Sequence, residues 1–126
     1  MAKVSDQELK KAFSELQEMM VDATQKLKLA DVQIETLKRT KQRGELTIKE
    51  ITLLPSETRT YESVGRMFLL DDISSIKSGL EQRIKASDEK IKSLEYSKTF
   101  LRRNLKDSEN HLREMVQQRQ SKETSN

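Results

Sequence analysis

Any chemistry in this chain would have to start from very few residues. His111 is the sole histidine, and its spacing places it beside the apolar seam of a helix, as a solvated side chain without a second acid, base or ligand. Adjacent carboxylates occur at Asp71-Asp72 and Asp88-Glu89, and acids in such pairs begin or decorate helices, where they offset the positive end of the macrodipole. Cysteine is absent, which excludes disulfides, thiolate metal sites and cysteine nucleophiles and fits a reducing compartment. Gly44, Gly65 and Gly79 stand alone, so no glycine-rich loop can cradle a phosphate. Serines and lysines are plentiful, but they fall in amphipathic stretches that form no pocket. The residues predict no catalytic group, no metal ligand and no cofactor. The chain reads as a binder, not an enzyme.

Charge narrows what it binds. The densest cationic cluster is Lys38, Arg39, Lys41 and Arg43. A phosphate-binding face needs clustered cations to release many counterions. Yet 24 Lys and Arg stand against 21 Asp and Glu, with the two signs interspersed. The cluster lies at the end of the first helical pattern, where cations complement the negative end of the helix. No nucleic-acid partner is expected. The longest apolar run, Met67 to Leu70, is far short of the ~20 residues that cross a bilayer. The start, Met1-Ala2-Lys3-Val4-Ser5-Asp6, turns charged at once and holds no signal-peptide core. The reading is a cytoplasmic chain with no membrane partner.

The elements that carry these residues are long helices. A hydrophobic share of 33% against 36% charged is too lean for a thick core, since ordinary domains hold ~45–50% apolar residues. Regular apolar spacing then separates a thin helical assembly from disorder. Leu9, Phe13, Leu16, Met20, Ala23, Leu27, Ala30, Ile34 and Leu37 recur in unbroken steps of four and three, the period of a coiled-coil seam. Ser5 with Glu8 matches a capping-box pattern that predicts a helix start near Asp6, and Gly44 predicts its stop. The same rhythm returns in Leu80, Ile84, Ser87, Ile91, Leu94, Lys98, Leu101, Leu105, Ser108, Leu112 and Met115. Folded back on one another with facing numbers that add to about 121, the seams set Leu16 against Leu105 and the small Ala23 against Lys98, in the large-against-small manner of dense packing. A register one heptad away sets Lys98 on Leu16.

The middle differs in kind. Thr47-Ile48-Lys49-Glu50 is a second capping-box pattern, predicting a short helix that Pro55 ends. Thr60 to Leu70 is rich in β-forming residues with Gly65 at its centre, which predicts a hairpin turning at Gly65-Arg66. That turn puts Val64, Met67 and Leu69 on one face and Tyr61, Phe68 and Leu70 on the other. Both faces are apolar, and a lone two-stranded hairpin is marginal with two open edges. Other subunits must complete it, unless the short helix near Ile51 covers one face within a monomer. The predicted fold is mainly α, a long antiparallel two-helix coiled-coil hairpin with a short helix and a β-hairpin inserted between the helices. It forms one domain over residues 1–120: helix 6–43, short helix 47–54, hairpin 60–70, helix 72–119, then a disordered tail 121–126.

Near the chain termini, Val4, Leu9, Phe13, Leu112, Met115 and Val116 concentrate apolar surface where helix ends fray. Such side chains can touch exposed apolar surface of another chain, methionine especially, because its flexible chain adapts. Leu9, Phe13, Leu112 and Met115 also occupy seam positions, so an intramolecular role competes.

The pattern Tyr61-x-x-Val64-Gly65-x-x-Phe68-Leu69, in the order long helix, short helix, hairpin, long helix, resembles prefoldin β-type subunits. The runs Leu9-Lys10-Lys11-Ala12-Phe13, Lys28-Leu29-Ala30-Asp31-Val32-Gln33-Ile34-Glu35 and Val64-Gly65-Arg66-Met67-Phe68 are similar to eukaryotic members of that family. The resemblance covers residues 6 to about 118. It implies a hetero-hexamer of two α-type and four β-type subunits whose hairpins form a platform bearing six coiled-coil tentacles. Such an assembly holds unfolded actin and tubulin without ATP and passes them to the cytosolic chaperonin. It further implies that Tyr61, Val64, Gly65, Met67, Phe68 and Leu69 are assembly residues here, and that clients meet the end where the termini lie. A structural coiled-coil adaptor in some other multi-subunit complex shares the helices but gives no reason for a two-faced apolar hairpin.

Overall fold

A computed structural model describes residues 6–124, with side chains through residue 121. Its elements follow the order α1 (Asp6–Thr52), β1 (Thr60–Val64), β2 (Met67–Asp71) and α2 (Ile73–Thr124). None of the described helices is long and apolar enough to cross a membrane.

The first helix does not stop at Gly44. It runs on to Thr52 as one continuous element, so the separate helix expected at 47–54 does not exist. Two residues show why the sequence signals mislead. Gly44 has an ordinary helical sign of φ, and a Cβ placed on it would lie 3.1 Å from Cγ1 and 3.2 Å from Cδ1 of Ile84. This glycine lets α2 come close; it does not end α1. Thr47, the supposed cap, instead donates its hydroxyl to the Arg43 carbonyl at 2.7 Å, a bond made inside a running helix. The four-and-three rhythm simply continues through Lys41, Gly44, Ile48 and Ile51, all half-buried. The actual end comes where Pro55 disfavours helical backbone at Leu54. There the last turn tightens, with Leu53 N–H donating to Glu50 O and Leu54 N–H to Ile51 O.

The hairpin forms as its pattern predicts. Val64 pairs with Met67, Ser63 with Phe68, Glu62 with Leu69, Tyr61 with Leu70 and Thr60 with Asp71. Gly65 takes φ 63° while no described non-glycine residue has positive φ, the pattern of a two-residue turn with glycine first. The Thr60 hydroxyl donates to the Asp71 carbonyl at 2.6 Å and pins the open end. Asp72 then acts as the N-cap of α2, its carbonyl accepting the first helical bond from Ile76 N–H at 3.0 Å. The second helix runs to Thr124, beyond the expected end at 119, so residues 121–124 are helical where a disordered tail was expected; residues 125–126 lie outside the described residues.

The chain divides into two units. The first joins residues 6–31 with 95–124 and buries Ala23, Ala30 and Leu112. The second, Val32–Leu94, buries Ile34, Ile91 and Ser87 and contains the β-hairpin. Among the described residues no large side chain is fully buried, because two antiparallel helices have no third element to cover them. Both units share one register. In the second, Gly44 meets Ile84 and Lys41 pairs with Asp88 at 2.8 Å; in the first, Lys98 pairs with Asp31. Facing numbers therefore add to about 128, one heptad from the expected 121 in the direction opposite to the shift that sets Lys98 on Leu16, so Leu16 is level with Leu112 and not with Leu105. The error has one cause: ending α1 at Gly44 removes two turns before the fold-back, and every pairing slides. In the true register the ammonium of Lys98 reaches Asp31, next in sequence to the small Ala30, and its side chain is largely covered.

Candidate subunit-assembly hairpin and client end

The hairpin is the least finished part of the molecule. Tyr61, Val64, Met67, Phe68, Leu69 and Leu70 are all exposed, with Phe68 at 71%. The pairing puts Val64, Met67 and Leu69 on one face with Glu62, and Tyr61, Phe68 and Leu70 on the other with Ser63. Neither face is covered by the turns after α1, so the monomer alternative fails. The hairpin is nevertheless held in place. Arg83 of α2 reaches Glu62 at 3.5 Å, and Leu70 lines a shallow depression with Ile51 and Leu54. Leu70 is not among the six residues expected to assemble, yet strand alternation places it on the same face as Tyr61 and Phe68. A two-stranded ribbon with both edges unpaired and two apolar faces can add strands to a sheet and bury side chains on both sides.

The six residues expected at the client end are treated less alike. Val4 lies outside the described residues. Leu112 is 7% exposed and belongs to the core of the first unit. Leu9, Met115 and Val116 are half-buried, whereas Phe13 remains 45% exposed although it occupies a seam position. Met20, also on the seam, stays open, and Met19 beside it is exposed. The two helix ends are clamped by an ion pair between Asp6 and Arg119. The Arg119 hydrogen bond, and then its charge, hold the Asp6 carboxyl below the usual range. Sequence periodicity located the seam but could not say which of its positions two helices leave uncovered. Other exposed apolar residues, such as Leu29, Tyr96 and Phe100, lie off the seam and escaped notice because a heptad reading assigns such positions to solvent.

Comparison with known proteins agrees with this architecture. The family model described as Prefoldin subunit matches residues 7–119. Prefoldin subunit 1 of Danio rerio is 51% identical over 121 residues, covering 96% of this chain and 99% of the relative. The Homo sapiens protein of the same name is 50% identical with the same coverage. Prefoldin subunit 1 of Arabidopsis thaliana is 36% identical over 115 residues, covering 91% of this chain and 90% of the relative. Among solved structures, the prefoldin beta subunit from Thermococcus strain KS-1 superimposes with a TM-score of 0.71 at 18% identity, covering 90% of this chain and 96% of that one. Two long helices joined through an uncovered two-stranded hairpin, and a family match over nearly their whole length, lead to one conclusion: the chain belongs to the prefoldin family of chaperone subunits.

Proposed function

We propose that this chain serves as a β-type subunit in a prefoldin hexamer of two α-type and four β-type subunits. In that setting it holds unfolded polypeptides, actin and tubulin among them, and hands them to the cytosolic chaperonin. The work is done in the cytoplasm by binding alone, without nucleotide, cofactor or catalysis by this chain. Tyr61, Val64, Gly65, Met67, Phe68, Leu69 and Leu70 join the subunit to its neighbours, while the end bearing the chain termini meets the client.

The observation that carries the holding role is that Phe13 and Met20 sit on the helix seam yet stay open. A side chain on a seam normally trades water for its partner helix; these keep much of their apolar surface available. Leu9, Met115 and Val116, each half-buried, extend that surface, and Leu112, being buried, keeps the helix ends together. Each contact with an unfolded segment is weak, at roughly 25 cal/mol per Å² of apolar surface covered. Several subunits around one client raise the hold through effective concentration, and weak individual contacts permit release without an energy source.

The test is a complete complex carrying Phe13→Ser, Met20→Ser and Met115→Ser in this subunit, assayed for suppression of aggregation of denatured actin. Normal assembly with reduced suppression supports the reading. Undiminished suppression shows that this subunit's end takes no part, and a complex that never suppresses aggregation favours a structural adaptor.

A further inference from the structure

The basic cluster of α1 loses its expected explanation. Cations at Lys38, Arg39, Lys41 and Arg43 complement a helix C-terminus only within the last turn. The helix runs on to Thr52, so these residues lie in its interior, more than two turns from its end. Lys41 is accounted for by Asp88. Arg39 and Arg43 have no carboxylate partner among the described residues. Both line a shallow groove along α1 with Leu46, Glu50, Ile51 and Leu54. Leu46 is 63% exposed and Leu53 76%. At 100° per residue, Leu46 projects away from Gly44 and hence from α2, and Leu53, in the turn just past the helix, is more open still. Packing within the second unit therefore gives no reason for leucine at either position.

The groove continues into the assembly surface. Ile51 and Leu54, which line its lower end, also line the depression that contains Leu70, and Leu70 shares a hairpin face with Tyr61 and Phe68. The groove below Leu46 and the depression at Leu70 thus adjoin through Ile51 and Leu54, although Glu57, Arg59, Asp71, Asp72 and Lys77 also line the second. A neighbour that pairs with the hairpin on this side is carried against the groove without a second docking event.

We propose that Arg39, Arg43 and Leu46 of α1, with Leu53 and Leu54 in the turn that follows it, form a second subunit contact, seating an adjacent prefoldin subunit through an apolar segment flanked by carboxylates. The inference rests on the hairpin being the assembly element and extends that interface up the helix. Its chemistry divides in two. Leu46, Leu53 and Leu54 supply the area to be buried, while two guanidiniums against the single Glu50 carboxylate set the sign of the partner.

The experiment uses the complete complex, without client or chaperonin, with a photo-reactive amino acid at position 46 and, separately, at position 68. Position 46 is expected to cross-link to a neighbouring subunit, at a segment containing Asp or Glu. Leu46→Ser with Leu53→Ser, both at exposed positions, should preserve helix content while raising the subunit's dissociation constant from the complex about tenfold, or 1.4 kcal/mol. Arg39→Glu with Arg43→Glu should weaken assembly most at low salt. Cross-linking at 68 but not at 46, or serine and charge-reversed variants that assemble with wild-type affinity, overturns the inference and leaves the hairpin reading intact. Failure at both positions sinks the hairpin reading itself. Cross-linking at 46 only after chaperonin or unfolded client is added assigns the contact to that partner, and the proposal falls.

Discussion

Gly44 and Gly79 offer a matched pair for testing how the two helices meet. Both lie inside long helices, where replacing glycine with alanine gains about 0.8–1 kcal/mol of helix propensity. A Cβ at Gly79 meets nothing within 4 Å, so Gly79→Ala should gain that full amount. At Gly44 the same Cβ lies 3.1 Å from Cγ1 and 3.2 Å from Cδ1 of Ile84, tighter than ordinary van der Waals contact. Relieving it requires Ile84 to shift or α1 and α2 to part by a few tenths of an ångström, at an overpacking cost of about 1–3 kcal/mol. The balance puts Gly44→Ala between neutral and about 2 kcal/mol destabilising, at least about 1 kcal/mol below Gly79→Ala. Urea unfolding followed by circular dichroism reads both, at one fixed protein concentration because association adds to apparent stability. Ile84→Ala should cost less in the Gly44→Ala background than alone, with a coupling of at least about 0.5 kcal/mol. If Gly44→Ala stabilises as much as Gly79→Ala and the coupling vanishes, the close approach of the helices at this point is refuted.

Other expectations follow from the register and the ion pairs. Cysteines at 16 and 112 should form a disulfide readily under mild oxidation, whereas 16 with 105 should not, because one heptad displaces a helix position by about 10 Å and a disulfide tolerates less than ~7 Å between Cα atoms. Preferential cross-linking of 16 with 105 would restore the shorter first helix. Asp6, whose folded pKa is depressed by the Arg119 hydrogen bond and charge, contributes stability above the ordinary value of about 3.9 that fades as pH falls through the lower folded value. Carboxyl titration by NMR should show that depression and its loss in Arg119→Gln; an unchanged midpoint contradicts the pairing. Lys41 has the opposite sign: the Asp88 hydrogen bond raises its pKa, so its contribution is present below about 10.4 and lost as pH rises through the folded value. Asp88→Asn should abolish that alkaline component, measured by unfolding across the same range.

Much of this architecture is legible from residue spacing, and its errors share a root. The seams from Leu9 to Leu37 and from Leu80 to Met115 mark the faces the helices turn toward one another, because a two-helix fold has only one apolar stripe per helix to hide. The hairpin is legible down to its register, since Gly65 fixes the turn and a two-residue turn fixes every pair. Gly44 and Thr47 mislead because each has two physical uses. Glycine ends helices and also lets them touch; threonine caps helices and also bonds back to a carbonyl one turn earlier. Only the facing Ile84 and the acceptor at Arg43 distinguish those uses, and neither is visible in local sequence. The same limit applies to Phe13 and Leu112. Both are seam positions by rhythm, but one is open and the other buried, because exposure depends on the partner helix and not on the period. Leu46 is illegible for a related reason: a helix ended at Gly44 does not carry it, so nothing in the spacing marks it as exposed on α1.

The central claim is that the hairpin from Thr60 to Asp71 is unfinished in the single chain and is completed by related subunits. Native mass measurement of the complex reconstituted with wild-type chain or with Phe68→Asp and Met67→Asp tests it most directly. One hetero-oligomer containing this chain beside other prefoldin subunits, from which the doubly substituted chain is missing although its helix content is preserved, is the predicted result. A substituted chain that still enters the complex at the wild-type proportion, or a wild-type chain that remains alone among its relatives, contradicts it.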